Sequence, residues 1–122
     1  MAAQDARLLG RWGEERAAEY LRKKGYTILG MNYTCRRGEI DIIAQKGKFV
    51  VFAEVKLRKD ARFAQAREFV TYAKQRRIMT AAMLWLACHE TNFQPRFDVI
   101  EVYAPRGAEG PVRIEHIEDA FQ

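Results

Sequence analysis

Apolar residues recur along this chain with two different spacings. Between Asp5 and Lys24 they fall at helical intervals, with Leu9, Ala17, Tyr20, Leu21 and Lys24 near one face. Asp5 stands where an N-cap is expected, and Gly25 follows the basic run Arg22-Lys23-Lys24 as a C′ glycine would. A second helical pattern covers Thr71 to His89. Its stripe is Ile78, Ala81, Ala82 and Trp85, Lys74 lies one turn before Ile78, and Thr71 stands at the capping position. Other stretches alternate with period 2 or run continuously apolar, as strands do. They are Tyr26–Tyr33, Gly38–Ala44, Val50–Arg58, Arg96–Tyr103 and a short Val112–Ile117 suited to a sheet edge. Thr34–Gly38 and Pro105–Pro111 read as turns, and Lys59–Gln65 as a polar, basic loop whose Phe63 could pack or stack on a base.

The expected fold is α/β. The order is helix, three strands, helix, strand (αβββαβ), with a central mixed sheet of four or five strands flanked by two long helices. Its centre is a hairpin: Gly38–Ala44 and Val50–Lys56 are joined by Gln45-Lys46-Gly47-Lys48-Phe49, with glycine at the turn. Period 2 puts Val51, Ala53, Val55 and Leu57 on one face of the second strand and Phe52, Glu54, Lys56 and Arg58 on the other. On the first strand Glu39 and Asp41 share a face, opposite Ile40 and Ile42.

Charges therefore interrupt two strands that are otherwise apolar enough to be buried. Buried charge is costly unless it pairs or holds a metal. Two readings fit Asp41, Glu54 and Lys56: an ion-pair cluster that sets strand register, or a site for a hard cation such as Mg²⁺ with oxygen ligands. In the second case the lysine can orient a water and meet charge on a phosphate oxygen. On the first helix Glu14 neighbours Gly10, Ala17, Ala18 and Leu21, an apolar side with little bulk, whereas Glu15 neighbours Arg11, Glu19 and Arg22 on a solvated face.

Composition narrows the classes. The 122 residues suit a single domain, 1–122, that buries roughly two-thirds of its unfolded surface. No apolar run approaches the ~20 residues of a membrane span, and Met1–Gly10 lacks a signal-peptide core, so no membrane association and a cytoplasmic location are expected. Cys35 and Cys88 make no disulfide framework, and with His89 and His116 they lack zinc-ligand spacing. The net charge of +5 is unevenly placed. Arg36–Arg77 holds 12 Lys+Arg against 5 Asp+Glu, a net +7, and the remainder holds 9 against 11, a net −2. A basic rim around carboxylates suits a polyanion whose phosphates reach a metal. Among Lys74, Gln75, Arg76 and Arg77 in the opening turns of the second helix, the three cations oppose its dipole, and together with the free N–H groups they would favour a phosphate.

Four stretches in this order resemble the YraN-like family of the PD-(D/E)xK nuclease superfamily, related to archaeal Holliday-junction resolvases. They are Gly10-Arg11-Trp12-Gly13-Glu14, Gly38-Glu39-Ile40-Asp41-Ile42-Ile43-Ala44, Phe52-Ala53-Glu54-Val55-Lys56-Leu57-Arg58 and Arg96-Phe97-Asp98-Val99. The resemblance spans about Gly10 to Tyr103 and departs from the superfamily name in one place, where Ile40 rather than proline precedes Asp41. It implies a restriction-endonuclease-like core and catalytic residues Glu14, Asp41, Glu54 and Lys56. Asp41 and Glu54 would be ligands to Mg²⁺ or Mn²⁺, Lys56 would position the water, and Glu14 would be an accessory acid.

The function expected is a metal-dependent phosphodiester hydrolase, an endonuclease acting on DNA, with branched or junction DNA suggested by the family relationship. Arg36, Arg37, Arg58, Lys59, Lys74 and Arg77 are the nucleic-acid-binding candidates, Lys74 towards the scissile phosphate. RNA offers the same phosphates and is not separated from DNA by these residues. A cutter of junctions must incise two strands, which suits a homodimer. Two alternatives stand beside this reading. One is a nucleic-acid-binding protein that keeps the nuclease scaffold without turnover; the other is an interaction module whose basic surface meets an acidic partner.

Overall fold

The expected hairpin lies at the middle of a five-stranded sheet in the computed structural model, which describes residues 2–58 and 70–122, with 2–8 by backbone alone. The elements are α1 (Ala2–Lys23), β1 (Thr27–Cys35), β2 (Gly38–Lys46), β3 (Phe49–Arg58), α2 (Tyr72–Cys88), β4 (Gln94–Tyr103), a single 3₁₀ turn (Gly107–Glu109) and β5 (Arg113–Phe121). The strands lie in sequence order, β1-β2-β3-β4-β5. All neighbours are antiparallel except β3 and β4, which pair parallel from Phe49↔Gln94 to Arg58↔Tyr103. A parallel pair requires a crossover, and α2 lies in that connection. This is the αβββαβ order of a restriction-endonuclease-like core, extended by one edge strand. No helix among the described residues is long and apolar enough to cross a membrane.

Local chemistry accounts for the element ends. Gly25, at φ 95°, closes α1 in a Schellman motif: Tyr26 N–H donates to the Leu21 carbonyl and Gly25 N–H to that of Arg22, both at 3.0 Å. At the other end α1 starts at Ala2, so Asp5 is inside the helix and does not cap it. Thr71 does cap α2, its Oγ1 accepting from Lys74 N–H at 3.2 Å. The β2–β3 turn is two residues long. Gly47 sits at φ 58° and is the only one of the two with positive φ, as a type II′ turn requires.

The sheet buries both faces. Towards α2, Val50, Phe52 and Val99 pack with Ile78, Ala81, Ala82 and Trp85, the whole expected stripe. Towards α1, Val51, Ala53, Ile100 and Val102 pack with Ala17, Ala18 and Leu21, and Val55 and Leu57 join them at the edge. Lys24, placed on the apolar side of α1 by its spacing, is instead exposed beyond the helix end, where its Nζ donates to Tyr20 Oη.

Strand β2 breaks the expected alternation. Ile42 and Ala44 face α1, but Ile40 packs with Ile43 on the α2 side. The cause is a fork. Pairing with β3 runs from Lys46↔Phe49 only to Ile42↔Ala53, after which β2 continues to Gly38 against β1 alone. Just past the last β3 pairing, Asp41 Oδ2 accepts from Val55 N–H at 2.8 Å in place of a ladder carbonyl. Gly38, at the far end of the fork, lies so close to α2 that a Cβ there would meet the Arg77 carbonyl oxygen at 2.9 Å.

Strand β5 is longer than the expected Val112–Ile117. The final residues belong to the fold, and Phe121 is buried, stacked on Phe97 with centroids 5.3 Å apart. A bulge at Asp119 (φ 53°) lets β5 pass Asp98. Asp98, fully buried, takes Arg96 Nε at 2.9 Å, Arg96 Nη2 at 2.7 Å, His116 Nε2 at 2.7 Å and Asp119 N–H at 3.0 Å. Arg96 Nη2 also donates to Tyr26 Oη at 2.8 Å, tying β4 to the exit of α1.

Breaking such a cluster at one partner leaves buried charge unpaired, so Asp98→Ala is expected to cost about 3–5 kcal/mol, measured by urea unfolding at pH 7. Burial alone would raise the Asp98 carboxyl, but the His116, Arg96 and Asp119 hydrogen bonds outweigh it and hold it below its usual 3.8. Its contribution is therefore complete above that value and is lost as pH falls through the lower folded one. The difference between wild type and Asp98→Ala should shrink on acidification.

Candidate active site

Four elements meet at the fork. Glu14 comes from the middle of α1, Asp41 from β2 and Glu54 and Lys56 from β3 just past the last β2–β3 pairing, and Lys74 from the first turn of α2. Glu54 is only 4% exposed, a strand residue two positions after Phe52 on the same face. Lys74 Nζ is 2.6 Å from Glu54 Oε2, and Lys56 Nζ is 3.6 Å from the same oxygen.

The carboxylates act on one another. Burial first, then the charge of Glu54 and more weakly that of Glu14, push the Asp41 carboxyl up to about 7, against the Val55 N–H bond and Lys74. Glu14 is also raised, chiefly by burial and further by Glu39 and Glu54, with an Asn32 hydrogen bond and Arg11 opposing. Its Oε1 is buried without a hydrogen-bond partner. Lys74 loses by burial but gains more from its bond to Glu54 and from Asp41 and Glu39, so its ammonium is held above the usual value. Among the described residues, no three His, Cys, Asp or Glu side chains are drawn together closely enough to form a ready ligand set for a metal.

A cleft of about 480 Å³ opens beside these groups, lined by Arg36 and Arg37 of the β1–β2 turn, Gly38, Glu39, and Lys74 and Arg77 of α2. The close approach at Gly38 brings the turn against the helix, so four of the six nucleic-acid candidates share one cleft. Arg58 is apart from them. It lies two residues past Lys56, with its Nε 3.7 Å from the carboxylate of buried Glu101. Lys59 and Phe63 lie outside the described residues.

Sequence reasoning left Glu39 and Asn32 out of the site. Glu39 acts electrostatically on both Glu14 and Lys74. Period 2 from Asp41 is the signal that would have included it. Asn32 bonds Glu14 from β1 and holds φ 54°, a left-handed conformation uncommon for any residue but glycine. Nothing in the pattern of β1 marks it.

Residues 13–102 match the model of a family described as "Uncharacterised protein family UPF0102". Curated relatives resemble the chain along nearly its whole length. A UPF0102 protein of Frankia casuarinae is 46% identical over 99% of this chain and 100% of its own. One from Flavobacterium psychrophilum is 42% identical over 93% and 92%. One from Caldanaerobacter subterraneus subsp. tengcongensis is 40% identical over 99% and 100%.

The repulsion around Asp41 has a measurable sign. A carboxyl that folds at about 7 but unfolds at 3.8 opposes folding once ionised. The penalty is absent well below pH 3.8, grows as pH rises through that value and is complete above pH 7. In metal-free protein, Asp41→Asn should stabilise by on the order of 2 kcal/mol at pH 8 and scarcely at about pH 3, read by urea unfolding. Destabilisation at pH 8 would contradict the arrangement.

Proposed function

Because the chain belongs to the uncharacterised protein family UPF0102, the YraN-like family that its motifs resemble, the functional reading rests on the site, and we propose a divalent-metal-dependent endonuclease of the PD-(D/E)xK type acting on DNA. The observation that carries this is the convergence of Glu14, Asp41, Glu54 and Lys56, far apart along the chain, beside a cleft lined by arginines and a lysine.

The donors fit a hard cation. They are all oxygens, they repel one another, and Glu14 contributes a buried oxygen lacking a partner. Asp41 and Glu54 would hold Mg²⁺ or Mn²⁺, with Glu14 completing or orienting the shell. Such an ion supplies charge to polarise a phosphate oxygen and to lower the pKa of a bound water. Asp41 is kept in orientation by the Val55 N–H, so its second oxygen is the one left for a ligand. Lys56 would direct the attacking water and meet the negative charge that grows on the phosphate. Arg36, Arg37 and Arg77 would take flanking phosphates, and the β1–β2 turn and α2 would form the two sides of the track. Branched or junction DNA is the proposed substrate, cut by a homodimer that incises both strands.

One observation favours a second reading. The carboxylates are not closed to ligand spacing, which also suits a nucleic-acid-binding protein on this scaffold without turnover. Incubation with linear and branched DNA in Mg²⁺ or Mn²⁺ separates the two. Cleavage is expected, slowed about 10²–10³-fold by Lys56→Ala with binding retained. Binding with no cleavage in either metal would favour the second reading.

Binding itself should depend steeply on salt. Replacing Arg36 and Arg77 by alanine together should flatten the slope of log affinity against log salt by about 2 if each meets one phosphate. An affinity indifferent to salt would point instead to a protein partner.

A further inference from the structure

Glu54 is engaged by two lysines, and the closer comes from the more distant element. Lys74 Nζ, carried by α2, is 2.6 Å from Glu54 Oε2, whereas Lys56, two residues along the same strand, stands at 3.6 Å. The two differ in freedom as well. The Lys74 side chain is 36% exposed and that of Lys56 22%, so Lys74 has the more open path away from the carboxylate. That path leads into the cleft shared with Arg36, Arg37 and Arg77, which Lys74 itself lines. Lys74 also feels Asp41 and Glu39, so its ammonium sits amid the negative charge of the site rather than in a single pair.

An ammonium in this position serves Glu54 as a cation. Its bond uses an oxygen that a metal would need, and a third cation at this carboxylate would be repelled by the two ammonium groups already beside it. Building on the metal site proposed above, we propose that Lys74 competes with the divalent cation for Glu54, and that its displacement turns the ammonium into the cleft, where it takes a phosphate oxygen. Metal binding and phosphate binding are thereby coupled through one side chain, and in the absence of metal the Lys74–Glu54 pair keeps the carboxylate satisfied. Coupling of this kind is reciprocal: what favours the outward lysine favours the metal.

The test uses Mn²⁺ titrated calorimetrically into the full chain after chelation. Lys74→Met is expected to bind Mn²⁺ about 10-fold more tightly than wild type, because the competitor is gone. Arg76→Met removes the same charge two residues along α2, where the guanidinium donates to Tyr72 Oη at 3.1 Å, and should stay within about 2-fold. Lys74→Gln, with a shorter neutral side chain, should behave as Lys74→Met and guards against a folding defect peculiar to one variant. Unchanged or weaker Mn²⁺ affinity in the two Lys74 variants would overturn the proposal. Equal tightening in Arg76→Met would overturn it too, as an effect of net charge. If Mn²⁺ bound neither wild type nor variants, the metal site itself would fall along with it. In a second arm, a short DNA duplex is titrated with and without Ca²⁺. The gain in affinity on adding Ca²⁺ should be several-fold smaller in Lys74→Met than in wild type. An equal gain in both would overturn the coupling.

Discussion

The fork between β2 and β3 is the constraint on which the rest of the site depends. Two antiparallel strands normally satisfy their backbone groups with each other. Here the ladder stops at Ile42↔Ala53, and Val55 N–H is met by the Asp41 side chain instead. One carboxylate oxygen thus does the work of a main-chain carbonyl. The opening beyond it admits Glu54 from β3, Glu14 from α1 and Lys74 from α2 into a space that continuous pairing would close. The parallel partner, β4, stays paired with β3 past the fork as far as Arg58↔Tyr103, so Glu54 and Lys56 remain within the sheet.

The electrostatics of the fork are unfavourable as a matter of folding alone. Burial and mutual repulsion raise both Asp41 and Glu14, and a buried Glu14 oxygen has no partner. Lys56 and Lys74 offset part of this but stand nearest Glu54. A protein tolerates such a cluster where something else benefits from it, and concentrations of strained titratable groups beside a cleft are a mark of functional sites. The Arg96–Asp98–His116 cluster provides the contrast. It is more deeply buried and holds a single carboxylate, each oxygen of which is met by donors, and that carboxyl is held low. One cluster is satisfied and joins β4, β5 and the end of α1; the other is left in tension.

That contrast also sorts the four motif stretches. Glu14, Asp41, Glu54 and Lys56 gather at the fork. Arg96 and Asp98 lie on the α1 side of β4, where Asp98 is opposite Ala53 in register, and they serve the architecture. A charged pair embedded in a strand looks alike in both cases until its partners are known.

Much of this was legible along the chain. Periodicity determined both helices, the central hairpin and the face shared by Phe52, Glu54 and Lys56, because those features depend on backbone geometry that repeats every few residues. It also set Glu14 apart from Glu15 and put Lys74 on the inward stripe of α2. What it left undetermined involves partners distant in sequence. Ile40 and Ile42 pack on different sides of the sheet where β3 stops pairing with β2, a point that no local pattern encodes. Asn32 reaches Glu14 only because β1 runs beside α1, and Arg58 faces Glu101 only because β3 and β4 are parallel. The last strand extends to Phe121 because Phe97 stacks on it and Asp98 anchors its bulge. Residue order shows which side chains could carry charge into the sheet; which of those charges are satisfied depends on the fold, since pairing energy follows distances that only the folded chain sets.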